Sequence, residues 1–141
     1  MKSKILLLFS ALIVLAGCGA QADKKFAKIA LTVEAQQADN LMKGRQVDYI
    51  TTCISCVFDG KDLIYNYEID EDAASLSDID SEMIKASLLE SWKTMPQLSV
   101  TKQNLNILDG SVIYNYTGSK TKETFTIKFK PPKDSEEEEE E

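Results

Sequence analysis

The chain has 141 residues, of which 16 are Lys or Arg and 23 are Asp or Glu, for a formal net charge of −7. One domain fits that length, and the absence of histidine removes Ser-His-Asp and Cys-His catalysis and His-ligated zinc from consideration. The acidity is local. Setting aside residues 1–17 and the acidic end at 134–141 leaves a body with 14 basic and 16 acidic residues and no basic stripe, which argues against a nucleic-acid partner.

Lys2 and Lys4 precede an apolar run from Ile5 to Leu15, broken only by Ser10. The run falls well short of the ~20 residues a helix needs to cross a bilayer core. A basic start, a short apolar stretch and then small residues describe a secretory signal. Leu15-Ala16-Gly17-Cys18 resembles the lipobox of bacterial lipoproteins. The resemblance implies cleavage before Cys18, a diacylglyceryl group on its thiol and usually an acylated amino terminus. Two or three acyl chains anchor a protein stably, where one is marginal. With Gly19 rather than Asp after the cysteine, the resemblance implies the outer membrane before the inner one. The expected organisation is a signal peptide at 1–17, a lipidated cysteine and polar tether at 18–25, one folded domain at 26–131 and an acidic disordered tail at 132–141.

Phe26, Ile29, Ala30 and Val33 recur at helical spacing, with Leu41 further on, and predict a helix over about 24–41 that Gly44 stops. Val47 to Phe58 is rich in Thr, Val, Ile and Tyr and reads as a strand. Asp59-Gly60 is a turn signal. Leu63, Tyr65, Tyr67 and Ile69 then alternate with Ile64, Asn66 and Glu68, a second strand that completes a hairpin. An acidic loop over 71–80 follows, in which Ser77 or Asp78 is placed to cap the next helix. That helix, about 80–94, carries Met83, Ile84, Leu88, Trp92 and Met95 as its apolar stripe, and Pro96 ends it.

Residues 97–108 fit neither period, and extended structure is expected from about Asn104. After Asp109-Gly110, Val112, Tyr114 and Tyr116 alternate with Ile113 and Asn115. A turn at 118–120 leads to a last strand in which Phe125, Ile127 and Phe129 alternate with polar residues, and Pro131-Pro132 closes the domain.

Asp59-Gly60 with Leu63-Ile64-Tyr65-Asn66-Tyr67 recurs as Asp109-Gly110 with Val112-Ile113-Tyr114-Asn115-Tyr116. This permits a tandem helix–hairpin repeat. The predicted fold is α+β: a single antiparallel sheet of four to five strands packed on two helices. Ile84, Leu88 and Trp92 are expected to meet Leu63, Tyr65, Val112, Phe125 and Phe129 in the core. The stretch from Val47 to Phe129, with its two Asp-Gly turns, paired Ile-Tyr-Asn-Tyr strands and Met83-Ile84-Lys85 helix, resembles a family of small uncharacterised envelope lipoproteins of Gram-negative anaerobes. That resemblance implies an α+β fold and anchoring, and carries no functional residue with it.

Three features invite chemistry. Tyr65, Tyr67, Tyr114 and Tyr116 should share one sheet face, as core or as a recognition surface. Cys53-Ile54-Ser55-Cys56 matches C-x-x-C, the pattern of redox and metal sites. Within a strand, however, residues i and i+3 lie roughly 10 Å apart on opposite faces, beyond the ~7 Å Cα reach of a disulfide. Two free thiols, one buried and one at the surface, are therefore expected unless a bulge breaks the strand, and no metal or cofactor is expected. The glutamates at 136–141 read as a solvated charge run. The function expected is non-catalytic: a lipid-anchored envelope protein held to the membrane through Cys18, which binds an unknown protein or small ligand or supports an assembly. The alternatives are a secreted-type inhibitor or adaptor that uses its sheet face, and a thiol-redox protein that uses Cys53 and Cys56.

Overall fold

The computed structural model describes residues 20–132. The signal segment, Cys18 and all of the acidic tail but Pro132 lie outside the described residues. Among the described residues the chain folds as α+β, with three α-helices and one mixed, mostly antiparallel sheet of four strands in the order β1-β2-β3-β4.

Helix α1 spans Ala20–Met42, so it begins inside the stretch expected to be a tether. Ala27, Ala30, Leu31 and Ala35 form its buried stripe, and the three alanines let the helix lie close to β1 and α3. Strand β1 is Thr51–Phe58 and β2 is Leu63–Ile69. They pair antiparallel across the Asp59-Gly60 turn. Asp59 Oδ1 accepts from the Lys61 and Asp62 amides there, and Gly60 takes φ 102°.

The segment before β1, expected as part of the strand, turns back along the strand's outer edge instead. The Gly44 amide donates to the Cys53 carbonyl, the Cys53 amide to the Arg45 carbonyl and the Val47 amide to the Thr51 carbonyl. These bonds cover the Thr51–Cys53 part of an edge that would otherwise be open to another chain.

Helix α2, Ser81–Thr94, is capped by Asp80, not by Ser77 or Asp78. Asp80 Oδ1 accepts from the Glu82 and Met83 amides, while Leu76–Asp78 is occupied by a 3₁₀ turn. Pro96 ends α2 as expected, with Met95 forced to extended ψ.

Residues 99–107 are helical, not extended: α3 is Ser99–Ile107. Its buried face combines Thr101, Asn104 and Leu105 at helical spacing. The polar members hide the period from a search for apolar stripes. Thr101 Oγ1 donates to the Glu34 carboxylate of α1, which gives that hydroxyl a partner inside the packed layer.

Strands β3, Val112–Gly118, and β4, Thr124–Phe129, complete the sheet as a second antiparallel pair. The central pairing of β2 with β3 is parallel, which corrects the all-antiparallel expectation. The first Asp-Gly turn enters β2 from a strand and the second enters β3 from a helix. Both strands therefore start at the same end of the sheet, and the 70–111 connection with its two helices makes the crossover that parallel strands require. The order helix then hairpin does occur twice, with α2 and α3 both preceding the second hairpin, but the echoed residues fill the second strand of the first hairpin and the first strand of the second. The sequence echo survives as register: Tyr65 pairs with Tyr114, Asn66 with Asn115 and Tyr67 with Tyr116.

The core lies between the sheet and the helices. Trp92, 2% exposed, meets Phe129 edge-on at 6.3 Å and donates from Nε1 to the Tyr114 hydroxyl at 2.8 Å. Leu63 and Val112 are fully buried in the same cluster, and Ile84, Leu88, Tyr65 and Phe125 pack against it. The opposite sheet face carries a polar ladder across all four strands. Asn66 Nδ2 donates to Ser55 Oγ, Asn115 Nδ2 to Asn66 Oδ1 and Thr126 Oγ1 to Asn115 Oδ1.

Candidate functional site

The four tyrosines do share one face, the face turned toward the helices. Tyr65 stacks on Tyr114 at 4.8 Å, Tyr116 stacks on Phe125 at 4.9 Å, and Tyr67 meets Tyr116 edge-on at 5.4 Å. Tyr114 and Tyr116 are buried, and Tyr65 and Tyr67 are half-buried. Desolvation pushes all four hydroxyls above the ordinary phenol range, Tyr116 to about 12 with the Asp48 charge adding to the effect. Neutral rings in a covered layer are core material, so the sheet does not display four aromatics to solvent.

Two of them reach a cleft. Between the β1–β2–β3 end of the sheet and α2 lies an open hollow of about 500 Å³, within the size range of ligand sites. Its floor is Tyr67, Ile69 and Tyr116. Ile84, Ser87 and Leu88 of α2 form one wall, with Ile79 of the preceding turn, and Val47, Asp48, Ile50 and Thr51 form the other. The cleft exists because α2 covers this end of the sheet incompletely: only Trp92 of its stripe is buried, whereas Ile84 and Leu88 stay half-exposed. Asp48 supplies the only charge in the lining. Its Oδ1 accepts from the Ile50 amide, which holds the 47–51 turn in place.

No protein-family model and no curated protein matches the sequence significantly. Among solved structures, the fold is similar to a candidate secreted protein of Pseudomonas aeruginosa, with a TM-score of 0.54 and 15% identity over 78% of this chain and 94% of that one. It is also similar to EpsS, the pilotin of the Vibrio vulnificus type 2 secretion system, with a TM-score of 0.49 and 10% identity over 73% of this chain and 88% of that one. At such identity the likeness concerns the fold alone.

The cysteines fall elsewhere. The register slips between Cys53 and Ser55, so Ile54 is an extra residue in β1. Cys53 then opposes Tyr67 and Cys56 opposes Tyr65. Both thiols therefore face inward and both are buried, which corrects the expectation of one at the surface; both are free. A single bulge residue restores inward parity after three steps. Burial pushes both thiols up, with Asp39 adding to the effect at Cys53, and Cys56 reaches about 12 with the Cys53, Glu34 and Asp39 charges adding to burial. A nucleophilic thiol needs the opposite shift. Among the described residues, no group of three or more His, Cys, Asp or Glu is placed to hold a metal ion, and no helix is long and apolar enough to cross a membrane.

The sequence pointed to Tyr67 and Tyr116 but not to the rest of the cleft. The missed residues are Asp48, Ile50, Ile79 and Ser87. One signal was present: Val47 and Tyr49 sit among polar residues just before a strand, and both are exposed, Tyr49 at 84%.

Proposed function

We propose that this is a lipid-anchored protein of the cell envelope, held in the outer membrane through Cys18, whose folded body is a non-catalytic binding module with the cleft under α2 as its binding site. The cleft carries this reading: it is a largely apolar hollow, while the tyrosines and both thiols are engaged in packing. Its tyrosine hydroxyls are held neutral, and its one carboxylate anchors a turn. The signal and lipobox pattern of residues 1–18 supports the anchoring. Burial of both thiols with raised pKa weighs against thiol-redox chemistry. The helices over the tyrosines weigh against an inhibitor that presents that sheet face.

Two measurements test the proposal in cells that make the full-length protein. Incorporation of a labelled fatty acid should disappear in Cys18→Ala, and persistence of the label would remove the anchor. A photo-crosslinking amino acid at Ser87 should capture a partner that the same group at Lys128, on the far sheet face, does not. Leu88→Asp should abolish that capture. Equal capture from both positions would locate binding away from the cleft.

A further inference from the structure

The segment beside the cleft is acidic, although Glu71 already accepts from the Lys120 and Thr121 amides. Residues 70–82, which run from the end of β2 past Ile79 into α2, hold Asp70, Glu71, Asp72, Asp78, Asp80 and Glu82 and no basic residue. The Asp70 amide donates to the Ile50 carbonyl, which ties this acidic segment to the opposite wall. Asp48 adds its carboxylate inside. The nearby cations are fewer. Lys120 is paired with Asp72, Lys122 donates to the Ser119 carbonyl, and Arg45 and Lys85 flank the two walls. The apolar surface also extends past the hollow. Met83, next to the lining residue Ile84, is 69% exposed, and Val47 and Tyr49 stand exposed on the other side. That rim is more than a small ligand in the hollow would cover, and exposed apolar patches of this kind mark docking sites.

Resting on the reading of the cleft as the binding site, we infer that its occupant is an amphipathic segment of another protein, with apolar side chains seated between α2 and the 47–51 turn and Lys or Arg set against the acidic 70–82 segment. Charge complementarity selects this occupant. Anionic lipid headgroups and fatty-acid carboxylates would meet Asp48 with no cation in the lining to receive them. The chain's own glutamates at 136–141 have the wrong sign. A second copy offering the same face would set acid against acid.

The test uses the lipidated full-length protein in phosphatidylcholine nanodiscs, with an environment-sensitive fluorophore on Ser87→Cys to report occupancy of the cleft. Three probes are titrated: a synthetic Leu/Lys amphipathic peptide, its Leu/Glu counterpart and the neutral apolar dye N-phenyl-1-naphthylamine. The expected result is saturable binding of the dye and the Lys peptide, with the Glu peptide weaker by about tenfold or more at low ionic strength and the gap closing as salt is added. Asp70→Asn with Glu82→Gln removes two charges of the acidic segment outside the lining, so it should weaken the Lys peptide and leave the dye unchanged. Dye binding with equal affinity for the two peptides would overturn the charge selection and leave the cleft as a binding site. No response to dye or peptide would overturn the cleft reading itself.

Discussion

Tyr114→Phe removes one oxygen atom and tests how the core is closed. The hydroxyl it deletes is the partner of Trp92 Nε1 at 2.8 Å, and both residues are buried. The phenylalanine ring can keep its stacking with Tyr65, 4.8 Å away. The loss is therefore that of a buried indole N–H left without an acceptor, about 1–3 kcal/mol. With a urea slope of about 2 kcal/mol/M, the unfolding midpoint should fall by roughly 0.5–1.5 M with the slope unchanged. Circular dichroism at neutral pH suffices as the assay. Adding Trp92→Phe completes a double-mutant cycle, and the two changes should couple, because either one alone already breaks the bond. A loss below about 0.3 kcal/mol for Tyr114→Phe, or strict additivity in the cycle, would mean that the indole finds water and that α2 is less tightly seated than its buried tryptophan implies.

Other outcomes follow from the same packing. Burial raises the Glu34 carboxyl pKa despite the bond from Thr101, so the folded state binds more protons than the unfolded one between the ordinary carboxylate value and the raised one. Stability should fall as pH rises through that window, and Glu34→Gln should flatten the slope; an unchanged slope would show that Glu34 is not its source. Cys53 and Cys56 should resist alkylation in the native protein and take up two labels when it is denatured without reductant. Thiol protection that persists until a reductant is added would place a disulfide where the structure has free thiols. Gly110→Ala should destabilise clearly, because an added Cβ would collide with the Lys61 carbonyl. A variant with wild-type stability would mean that the Asp59-Gly60 turn is free to move away.

Much of this fold is legible from alternation and punctuation. β2, β3 and β4 show period-2 patterns with turn residues at their ends, and α2 has an apolar stripe closed by Pro96. In each case one local rule is sufficient. The misreadings occur where the answer depends on a distant partner. α3 buries Thr101 because the Glu34 carboxylate of α1 accepts from its hydroxyl, and no apolar period records that. The bulge at Ile54 is one residue whose effect shows only against the register of β2. The parallel pairing of β2 with β3 depends on where the chain travels across residues 70–111, not on either strand. The cleft is harder still to foresee, since it is a place the helix stripe fails to cover, and sequence patterns report what packs.

The like-to-like alignment of β2 and β3 also orders the assembly of the molecule in time. The β1–β2 and β3–β4 ribbons close across short turns and can form within microseconds as local units. Their union joins residues 49 positions apart, as with Tyr65 and Tyr114, and must wait for the intervening helices to compact. Until then each ribbon carries a bare edge written in nearly the same residues as its eventual neighbour. A ribbon from a second nascent chain is chemically almost the same partner, so the step that completes the sheet is also the one at which two chains can exchange halves.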